Sequence, residues 1–261
     1  MSKGTLGFRE WTKYSVNCCS GCSNNCRYCY AKGMAVRFGQ LTPEQWPLER
    51  IREKDVRKKQ RSYDGRVMFP SSHDITHRSL DACMQVIDNL LRAGNELLVV
   101  SKPRVGCIEA ICRTFEAHRD RILFRFTIGS MNDDILAFWE PGAATYAERR
   151  DALCLAHSLG FGTSVSIEPM LEVERVIELV ADLEGCVTDA IWIGKMNHIK
   201  KQLRLADEET KAAFSAIEAQ QTDGQILSIY DRLKDHPKVK WKEGIKKIAG
   251  IQLPDEYGLD Q

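Results

Sequence analysis

The stretch N-C-C-S-G-C-S-N-N-C-R-Y-C-Y, residues Asn17 to Tyr30, holds five of the ten cysteines of the chain. Cys22, Cys26 and Cys29 follow one another at intervals of four and three residues, and an aromatic residue precedes the last of them. So many thiols on one short polar loop cannot all pair as disulfides without strain, and this favours binding of a soft metal. Iron–sulfur clusters are held by cysteine thiolates, and three ligands would leave one iron of a four-iron cluster open. An open coordination position is typical of reactive metal sites, so the stretch predicts a reactive metal centre.

The composition fits one sizeable α/β domain. The chain has 261 residues, with 37 basic against 36 acidic, so it lacks the overall positive charge typical of nucleic-acid or membrane binding. The first residues, M-S-K-G-T-L-G-F-R-E, do not resemble a signal peptide, and no run approaches the roughly 20 apolar residues of a membrane span. We therefore expect a cytoplasmic protein without membrane contact. In that reducing compartment the cysteines are expected to be metal ligands and buried thiols rather than disulfides.

Apolar runs alternate with segments of helical periodicity along most of the chain. Repeated strand–helix units predict parallel strands joined by right-handed crossovers, in a barrel-like or an open sheet. A charged segment at 41–61, with Pro43 and Pro47 near its start, is expected to be a surface helix with its approach. The predicted strands are 14–17, 67–69, 97–100, 122–128, 163–167 and 190–193, and the predicted helices are 81–93, 107–118, 146–159 and 173–183.

The last part of the chain has a different character. Residues 200–250 are polar, helical in composition and without a further strand of comparable strength. We expect one domain over residues 1–199 and a helical C-terminal extension over 200–261 that packs on it. The basic runs 57–61 and 238–242 could contact phosphates, and Trp241 could stack on a base, although a solvated helix face is the commoner role of such runs.

Polar residues with chemical potential follow the end of every predicted strand. In parallel α/β sheets the carboxyl ends of the strands form the rim where ligands bind. Each residue alone also has a simpler explanation, because loops are polar and residues such as His73 and Asp74 can cap a helix. The residues are Cys22, Cys26 and Cys29 after the first strand, Ser71, Ser72, His73 and Asp74 after the second, Ser101 and Lys102 after the third, Ser130 and Asn132 after the fourth, Glu168 after the fifth, and Lys195, Asn197 and His198 after the sixth.

The run C-S-N-N-C-R-Y-C resembles the C-x3-C-x2-C signature of the radical S-adenosylmethionine (SAM) superfamily. The strand–helix pattern over about residues 10–200 is similar to the partial (β/α)6 TIM-like barrel of that family. Within it, G-C-x-x-x-C-x-Y-C-Y-A resembles the spore photoproduct lyase-like, or DNA repair photolyase-like, branch. The later segment F-W-E-P-G-A-A-T-Y-A-E-R-R is similar to the E-P-x-A-x-x-x-x-E-R-L of the same branch.

The resemblance implies a cofactor and a reaction. Cys22, Cys26 and Cys29 would hold a [4Fe–4S] cluster, and the amino and carboxylate groups of SAM would bind its fourth iron. A one-electron reductant such as flavodoxin or ferredoxin would supply the electron that splits SAM into methionine and a 5′-deoxyadenosyl radical. That radical would abstract hydrogen from the substrate, and the protein would position and shield the cofactor.

The resemblance also suggests roles for single residues. Tyr28 corresponds to the aromatic residue beside the adenine, and Ser71, Ser72, His73 and Asp74 to the segment that meets the methionine amino group, without the usual Gly-Gly-Glu. Ser130 and Arg149 are candidates for the SAM carboxylate, because a guanidinium fork suits that group. Ser166 and Glu168 lie where ribose and substrate contacts are expected. The candidate catalytic residues are Glu168, Lys102 and His73.

Several alternatives stay open at this point. The photoproduct lyase resemblance favours a nucleic acid or nucleotide substrate, with radical modification of a peptide or small metabolite as the alternative. A zinc-binding nucleic-acid module without catalysis would use Cys18, Cys19 or His73 as a fourth ligand. The cysteines outside the loop are expected to be structural, although one of them could donate hydrogen to a product radical. They are Cys83, Cys107, Cys112, Cys154 and Cys186.

Overall fold

The predicted rim is built on a sheet of seven parallel strands. The computed structural model describes residues 6–197 and 207–258. Its strands are β1 (Tyr14–Ser15), β2 (Cys19–Ser20), β3 (Arg50–Ile51), β4 (Val67–Phe69), β5 (Leu97–Ser101), β6 (Ile122–Thr127), β7 (Gly162–Ile167), β8 (Ile191–Ile193) and β9 (Val239–Trp241). The seven-stranded sheet has the order β1-β4-β5-β6-β7-β8-β9, and β2 and β3 form a separate antiparallel pair. The sheet is not closed, and this confirms the predicted partial barrel.

Helices connect the strands and cover the outer face of the sheet. They are α1 (Tyr30–Arg37), α2 (Glu53–Val56), α3 (Leu80–Arg92), α4 (Val105–Thr114), α5 (Asp133–Trp139), α6 (Tyr146–Ser158), α7 (Val176–Leu183), α8 (Glu208–Gln220), α9 (Asp223–Leu233) and α10 (Glu243–Ile248), with short 3-10 turns at 7–10, 116–121 and 184–186. Helix α3 illustrates how the sequence specifies these helices. Its apolar residues recur at helical spacing and are buried, and Gly94, with a φ of 88°, ends it.

The two faces of the sheet bury different side chains. Because successive residues of a strand point to opposite faces, Phe124 and Phe126 pack outward against the helices. Leu123 points inward, where Leu98, Trp192 and Trp11 form a second cluster inside the barrel. Arg125 also lies inside, fully buried, and its guanidinium pairs with Asp189 at 3.0 Å. The barrel interior therefore combines aromatic rings with buried charge.

Three expectations from the sequence are wrong. The helix predicted in residues 41–61 is limited to the short α2, and the two-residue strand β3 precedes it; Leu41 and Trp46 of this segment are buried in a cluster with Cys22 and α1. Strand β9 lies within residues 200–250 and pairs in parallel with β8, so that region does contain a further strand. Its Trp241 is buried and packs on Tyr230, with ring centroids 5.3 Å apart, so the run is not a solvated helix face.

The third correction concerns the cysteines. Cys154 on α6 and Cys186 form a disulfide, with Cα atoms 5.0 Å apart, where buried free thiols were expected. The two residues lie on neighbouring elements that are distant in sequence, so spacing alone could not reveal the pair. The division at residue 199 and the cytoplasmic localisation stay predictions. Within the described residues, no helix combines the length and the apolar character needed to cross a membrane.

Candidate functional site

The cysteine loop joins β1 to α1 and is pressed against two neighbouring segments. Cys22 N donates a hydrogen bond to the carbonyl of Trp46 at 2.8 Å, and a Cβ on Gly21 would come within 2.5 Å of that same oxygen. On the other side, a Cβ on Gly142 would collide with the carbonyl of Ser23. Only glycine fits at these two close approaches, so the backbone of the loop has little freedom to shift.

The three predicted ligands are thiols in one electrostatic neighbourhood, of which Cys22 and Cys26 are buried and Cys29 is half-buried. Burial raises the pKa of Cys22 well above its usual range, and Asp74, Cys26 and Cys29 add to the rise. Burial also raises the pKa of Cys26 to about 12, and it raises the pKa of Cys29. Cys29 is the N-cap of α1, where its sulfur accepts a hydrogen bond from Lys32 N at 3.4 Å. Without a bound metal, these groups are therefore neutral thiols at pH 7.

The spacing of these thiols bears on the type of metal centre. Among the residues that the structure describes, no three His, Cys, Asp or Glu side chains stand close enough together to hold a metal ion. Zn–S bonds of about 2.3 Å in tetrahedral geometry would bring ligand sulfurs to about 3.8 Å from one another. In a four-iron cluster each cysteine binds a different iron, so the sulfurs stand further apart. The part of the chain that the structure describes therefore holds no preformed site for a single metal ion, and the assignment of the three thiols to a [4Fe–4S] cluster stays a prediction.

Asp74 connects the cysteine loop to the end of β5. Its carboxylate accepts hydrogen bonds from Asn24 Nδ2 at 2.7 Å and from Lys102 N at 3.0 Å. The hydroxyl of Ser101 and the backbone N–H of Ile75 also donate to it. A carboxylate that accepts so many hydrogen bonds is fully engaged. Asp74 thus holds the loop against the rim, and its predicted contact with the cofactor stays a prediction.

Asn17 holds the segment that follows β4. Its Oδ1 accepts from the backbone N–H groups of Ser71 and Ser72, both at 2.8 Å, and its Nδ2 donates to Ser71 Oγ at 2.9 Å. His73 turns away from this segment: its Nε2 accepts from Cys18 N at 3.1 Å, and its Nδ1 lies 3.0 Å from the Asp74 carbonyl. In the structure His73 therefore braces the start of the cysteine loop.

A buried charge cluster of four side chains lies beside Cys26. Glu140 is its centre, because it accepts a hydrogen bond from the hydroxyl of Tyr28 and pairs with Arg149 Nη1 at 2.5 Å. Lys102 Nζ lies 3.9 Å from the same carboxylate and 5.6 Å from the centre of the Tyr28 ring. Burial disfavours the charge on Lys102, yet Cys26, Glu140 and Asp74 together raise its pKa above the usual value. Lys102 therefore stays charged beside the predicted ligand.

Arg149 is fully buried and is held by groups of the protein itself. Its side chain has no exposed surface, and it also donates to the carbonyls of Ala144 at 2.9 Å and Thr127 at 3.3 Å. Its Nη2 has no hydrogen-bond partner among the described residues, which leaves one donor of the fork unused. The contact between Arg149 and the SAM carboxylate stays a prediction. It would require Arg149 to bind the SAM carboxylate and Glu140 at the same time.

Other predicted site residues belong to a second part of the rim. Glu168 pairs with Lys242 Nζ at 3.5 Å and accepts from Asn197 Nδ2 at 3.1 Å, and its burial raises its pKa. Ser130 donates to Glu172 at 2.6 Å, and Ser166 is buried at the end of β7. Lys195 lies 3.9 Å from Asp223 on α9. His198 falls outside the described residues.

Four contributors to the rim were not found from the sequence. Asn17 and Asn24 lie within the cysteine stretch, and Glu140 lies within the F-W-E-P segment, so each stood beside a motif that was recognised. Lys242 was noted only as part of the basic run 238–242, which did not indicate a position at the rim. It lies next to β9 and bridges Glu168 and Glu10, the latter at 2.5 Å. A Cβ on Gly194 would come within 2.9 Å of both Glu168 and Lys242, so the glycine makes room for the pair.

A cavity lies at the opposite end of the sheet. Its volume is about 340 Å³, and it is lined by residues near the amino ends of the strands, among them Arg66, Arg121 and Asp189. It does not include the cysteine loop or the residues predicted for the site. The candidate functional site is therefore the carboxyl rim, where ligands bind in parallel barrels.

Comparison with known proteins identifies the fold. No protein-family model matches the sequence. An uncharacterised protein, ORF301, of Acidianus two-tailed virus is 21% identical over 207 residues, which are 74% of this chain and 68% of that protein. A spore photoproduct lyase variant with bound SAM and a dinucleoside spore photoproduct superposes with a TM-score of 0.55 at 14% identity, over 88% of this chain and 76% of the lyase. The fold is that of radical SAM enzymes.

A second solved structure extends this likeness to a peptide-binding enzyme. SuiB of Streptococcus suis bound to SAM has a TM-score of 0.55 at 9% identity and covers 95% of this chain, but this chain spans only 56% of SuiB. SuiB has also been solved bound to its precursor peptide SuiA. At these identities the likeness establishes the fold, and the activity has to be argued from the site.

Proposed function

We propose that the protein is a radical SAM enzyme in which Cys22, Cys26 and Cys29 hold a [4Fe–4S] cluster. The observation that supports this most directly is the position of three thiols, two buried and one half-buried, on a rigid loop at the carboxyl rim of a barrel with the radical SAM fold. When bound together, cluster and SAM would supply a 5′-deoxyadenosyl radical by one-electron cleavage of the sulfonium C–S bond. All remaining tasks fall to the side chains of the chain itself.

The first task is to balance charge around the thiolates. A cluster with three thiolate ligands brings negative charge into a buried site, and an unbalanced buried charge is costly. Lys102 lies close enough to Cys26 for each group to shift the pKa of the other. Glu140 and Asp74 in turn keep Lys102 protonated. Lys102 would thus stabilise the ligated form of the loop.

The second task is to hold the cofactor pocket rigid. Tyr28 is fixed through its hydroxyl on Glu140, so the plane of its ring is set before any ligand arrives. Asn17 fixes the backbone of Ser71 and Ser72, and the hydroxyl of Tyr30 donates to the carbonyl of Ser71. Such preorganisation reduces the entropy that a cofactor loses on binding. The fixed positions of Tyr28, Ser71 and Ser72 support their predicted contacts with SAM.

The substrate we favour is a nucleotide or a nucleic acid. The support is the likeness to a photoproduct lyase structure that contains a dinucleoside, over 76% of the lyase chain. The second candidate is a peptide, because SuiB has been solved with one, but the chain spans only about half of that protein. On the protein side, the partly exposed carboxylate of Glu168 at the end of β7 is the charged group that such a substrate would meet, and the buried Lys242 pairs with it from behind.

Anaerobic reconstitution tests the cluster and the reaction together. We expect a brown protein with about four irons and four sulfides that forms 5′-deoxyadenosine from SAM with dithionite. Cys26→Ala should abolish that product. Cys112→Ala, a buried thiol on α4 outside the loop, is the matched control and should retain it. A colourless protein containing zinc would refute the proposal, and full 5′-deoxyadenosine formation by Cys26→Ala would refute the ligand assignment.

The substrate class can be tested with the same preparation. Dinucleotides and peptides carrying deuterium at abstractable positions would be incubated with the reduced enzyme and SAM. Deuterium in 5′-deoxyadenosine identifies the class from which hydrogen is taken. Transfer from peptides alone would overturn the nucleotide preference while leaving the radical chemistry intact.

A further inference from the structure

Helix α1 carries a row of exposed apolar side chains directly after the third predicted ligand. Tyr30, Met34 and Phe38 are 51%, 49% and 61% exposed. Residues four apart lie on the same face of a helix, and with a rise of about 1.5 Å per residue this row spans about 12 Å. We call these three residues the α1 stripe. The opposite face of α1 is buried, where Ala31 and Ala35 pack in a cluster with Trp46.

The stripe is a concentration of apolar surface rather than a scattered exposure. The large apolar residues that are exposed in the described part of the chain are Tyr30, Met34, Phe38, Leu48, Leu159, Leu227 and Tyr257. Four of these seven fall between residues 30 and 48, on α1 and on the segment that packs against it. Single exposed apolar residues need no explanation, but a contiguous group indicates an interaction surface.

The charge around the stripe is one-sided. Residues 12–43 contain no Asp or Glu, although the chain as a whole is balanced. Lys32 donates to the neutral amide of Asn25, and the guanidinium of Arg37 lies 5.7 Å from the centre of the Phe38 ring. Glu44 directly follows this acid-free segment. The hydrogen bond with Thr42 is the main cause that lowers the pKa of Glu44, and the charge of Lys32 lowers it further. An apolar centre with a basic edge complements a partner with an apolar centre and an acidic edge.

The exposed area argues against a permanent partner. A large side chain buries about 150–250 Å² when fully covered, so three half-exposed residues offer about 300 Å². A stable interface needs about 800 Å² on each partner, whereas weak electron-transfer encounters are smaller. A second copy of this chain would therefore be held poorly by the stripe alone. A nucleic acid would be expected to meet a patch dominated by Lys and Arg rather than by apolar groups.

We propose that the α1 stripe is the docking surface for an acidic one-electron donor protein, with a reduced flavin or iron–sulfur centre. The inference rests on the proposed function and adds the place at which the electron enters. Cys29 caps α1 and Tyr30 is its first residue, so a partner seated on the stripe lies beside the cluster loop. In the transfer, the donor centre is oxidised by one electron, the cluster is reduced by one electron, and no covalent bond forms or breaks.

The test compares a protein donor with a small reductant. The variant Met34→Glu/Phe38→Glu places acidic groups on the stripe, while Tyr30 is kept because its hydroxyl donates to Ser71. Leu227→Glu on α9, 39% exposed in the wild type, is the matched control. With reduced flavodoxin or ferredoxin we expect the KM for the donor to rise at least about tenfold in the double variant, equivalent to about 1.4 kcal/mol. With dithionite, the rate of 5′-deoxyadenosine formation should equal that of the wild type.

Arg37→Glu provides a second readout through charge. It should raise the KM for the protein donor and weaken the dependence of that KM on salt, because an attractive pair at the edge of the interface has been removed. The inference is overturned if the protein donor reduces the double variant as efficiently as it reduces Leu227→Glu. It is equally overturned if the double variant converts a dimer to a monomer in light scattering, or abolishes binding of a labelled single-stranded oligonucleotide.

The experiment separates failure of the docking surface from failure of the proposed function. If the wild type forms no 5′-deoxyadenosine with dithionite, the proposed function fails and the docking inference fails with it. If dithionite supports the reaction and the donor acts equally on all variants, only the docking surface is wrong.

Discussion

The pair Glu140–Arg149 offers a sharp test of how the rim is held together. Both side chains have no exposed surface, and the two charges approach to 2.5 Å. Removing one member of a buried ion pair leaves the other charge uncompensated, at a cost of about 3–5 kcal/mol. The two single variants should differ, because Lys102 remains 3.9 Å from Glu140. At an effective dielectric constant of about 20, a charge at about 4 Å contributes about 4 kcal/mol of attraction, which partly offsets the loss of Arg149.

We therefore expect Arg149→Met to lower the free energy of unfolding by about 3 kcal/mol and Glu140→Gln by about 5 kcal/mol. The double variant Glu140→Gln/Arg149→Met removes both charges, and its loss should be about 1–2 kcal/mol, less than that of either single variant. Urea unfolding followed by tryptophan fluorescence measures all three. Arg150→Met is the control, since Arg150 is the next residue of α6 and forms an exposed pair with Asp182 at 2.9 Å. That change should cost no more than about 1 kcal/mol.

Two outcomes would refute this reasoning. If each single variant costs less than about 1 kcal/mol, the pair is not buried as the structure shows. If the double variant loses the sum of the two single losses, Glu140 and Arg149 do not act as a unit. A loss for Arg149→Met that exceeds the loss for Glu140→Gln would show that Lys102 does not compensate the carboxylate.

Three further predictions concern other parts of the chain. Cys154→Ala should lower the free energy of unfolding by about 3–4 kcal/mol, because the disulfide closes a loop with a sequence separation of 32. A reductant should destabilise the wild type by the same amount and should not change the stability of the variant. Asn17→Ala removes the acceptor for Ser71 N and should weaken SAM binding in calorimetry together with a stability loss of about 1–3 kcal/mol, whereas unchanged affinity would exclude a role in the pocket. Burial raises the pKa of Glu168, so the folded protein keeps this proton to a higher pH than the unfolded chain does. The free energy of unfolding should therefore fall as the pH rises from the unfolded to the folded pKa of Glu168. Glu168→Gln should remove this part of the pH dependence, as urea unfolding at a series of pH values would show.

The strands that could be predicted are those with a simple apolar pattern. Residues 97–101 form a run buried on both faces, so their strand is visible from the sequence alone. Strand β9 has the pattern Val-Lys-Trp and is followed by Lys242, and each lysine suggests a solvated surface. In the structure Lys242 turns inward, where it is 1% exposed between Glu10 and Glu168. A buried ion pair of this kind gives no periodic signal, since Glu10 and Glu168 are both far from Lys242 in sequence, Glu10 by more than two hundred residues.

The candidate site shows the same division. The three cysteines are recognisable because their ligand spacing is local, and Tyr28 lies among them. Glu140 is far from them in sequence, and its role depends on the turn that brings α5 and α6 beside the loop. Ser130 and Glu168 were expected at the rim because they follow strands, and Ser166, which lies within β7, because of the family resemblance. Their contacts place them there, while their roles with cofactor or substrate stay predictions.

The contacts of Lys242 and Glu243 have a consequence for the order in which the molecule forms. Leu6 N donates to Glu243 Oε2 at 2.6 Å across a sequence separation of 237, and Lys242 Nζ donates to the carbonyl of Gly7 at 2.8 Å. Closing a loop of that length costs about 5 kcal/mol of chain entropy, which no local contact can repay. These contacts therefore form late, after the inner strands have brought both regions together. Until then the edge strands β1 and β9 are held by sheet pairing alone, and exposed strand edges of this kind can pair with other chains.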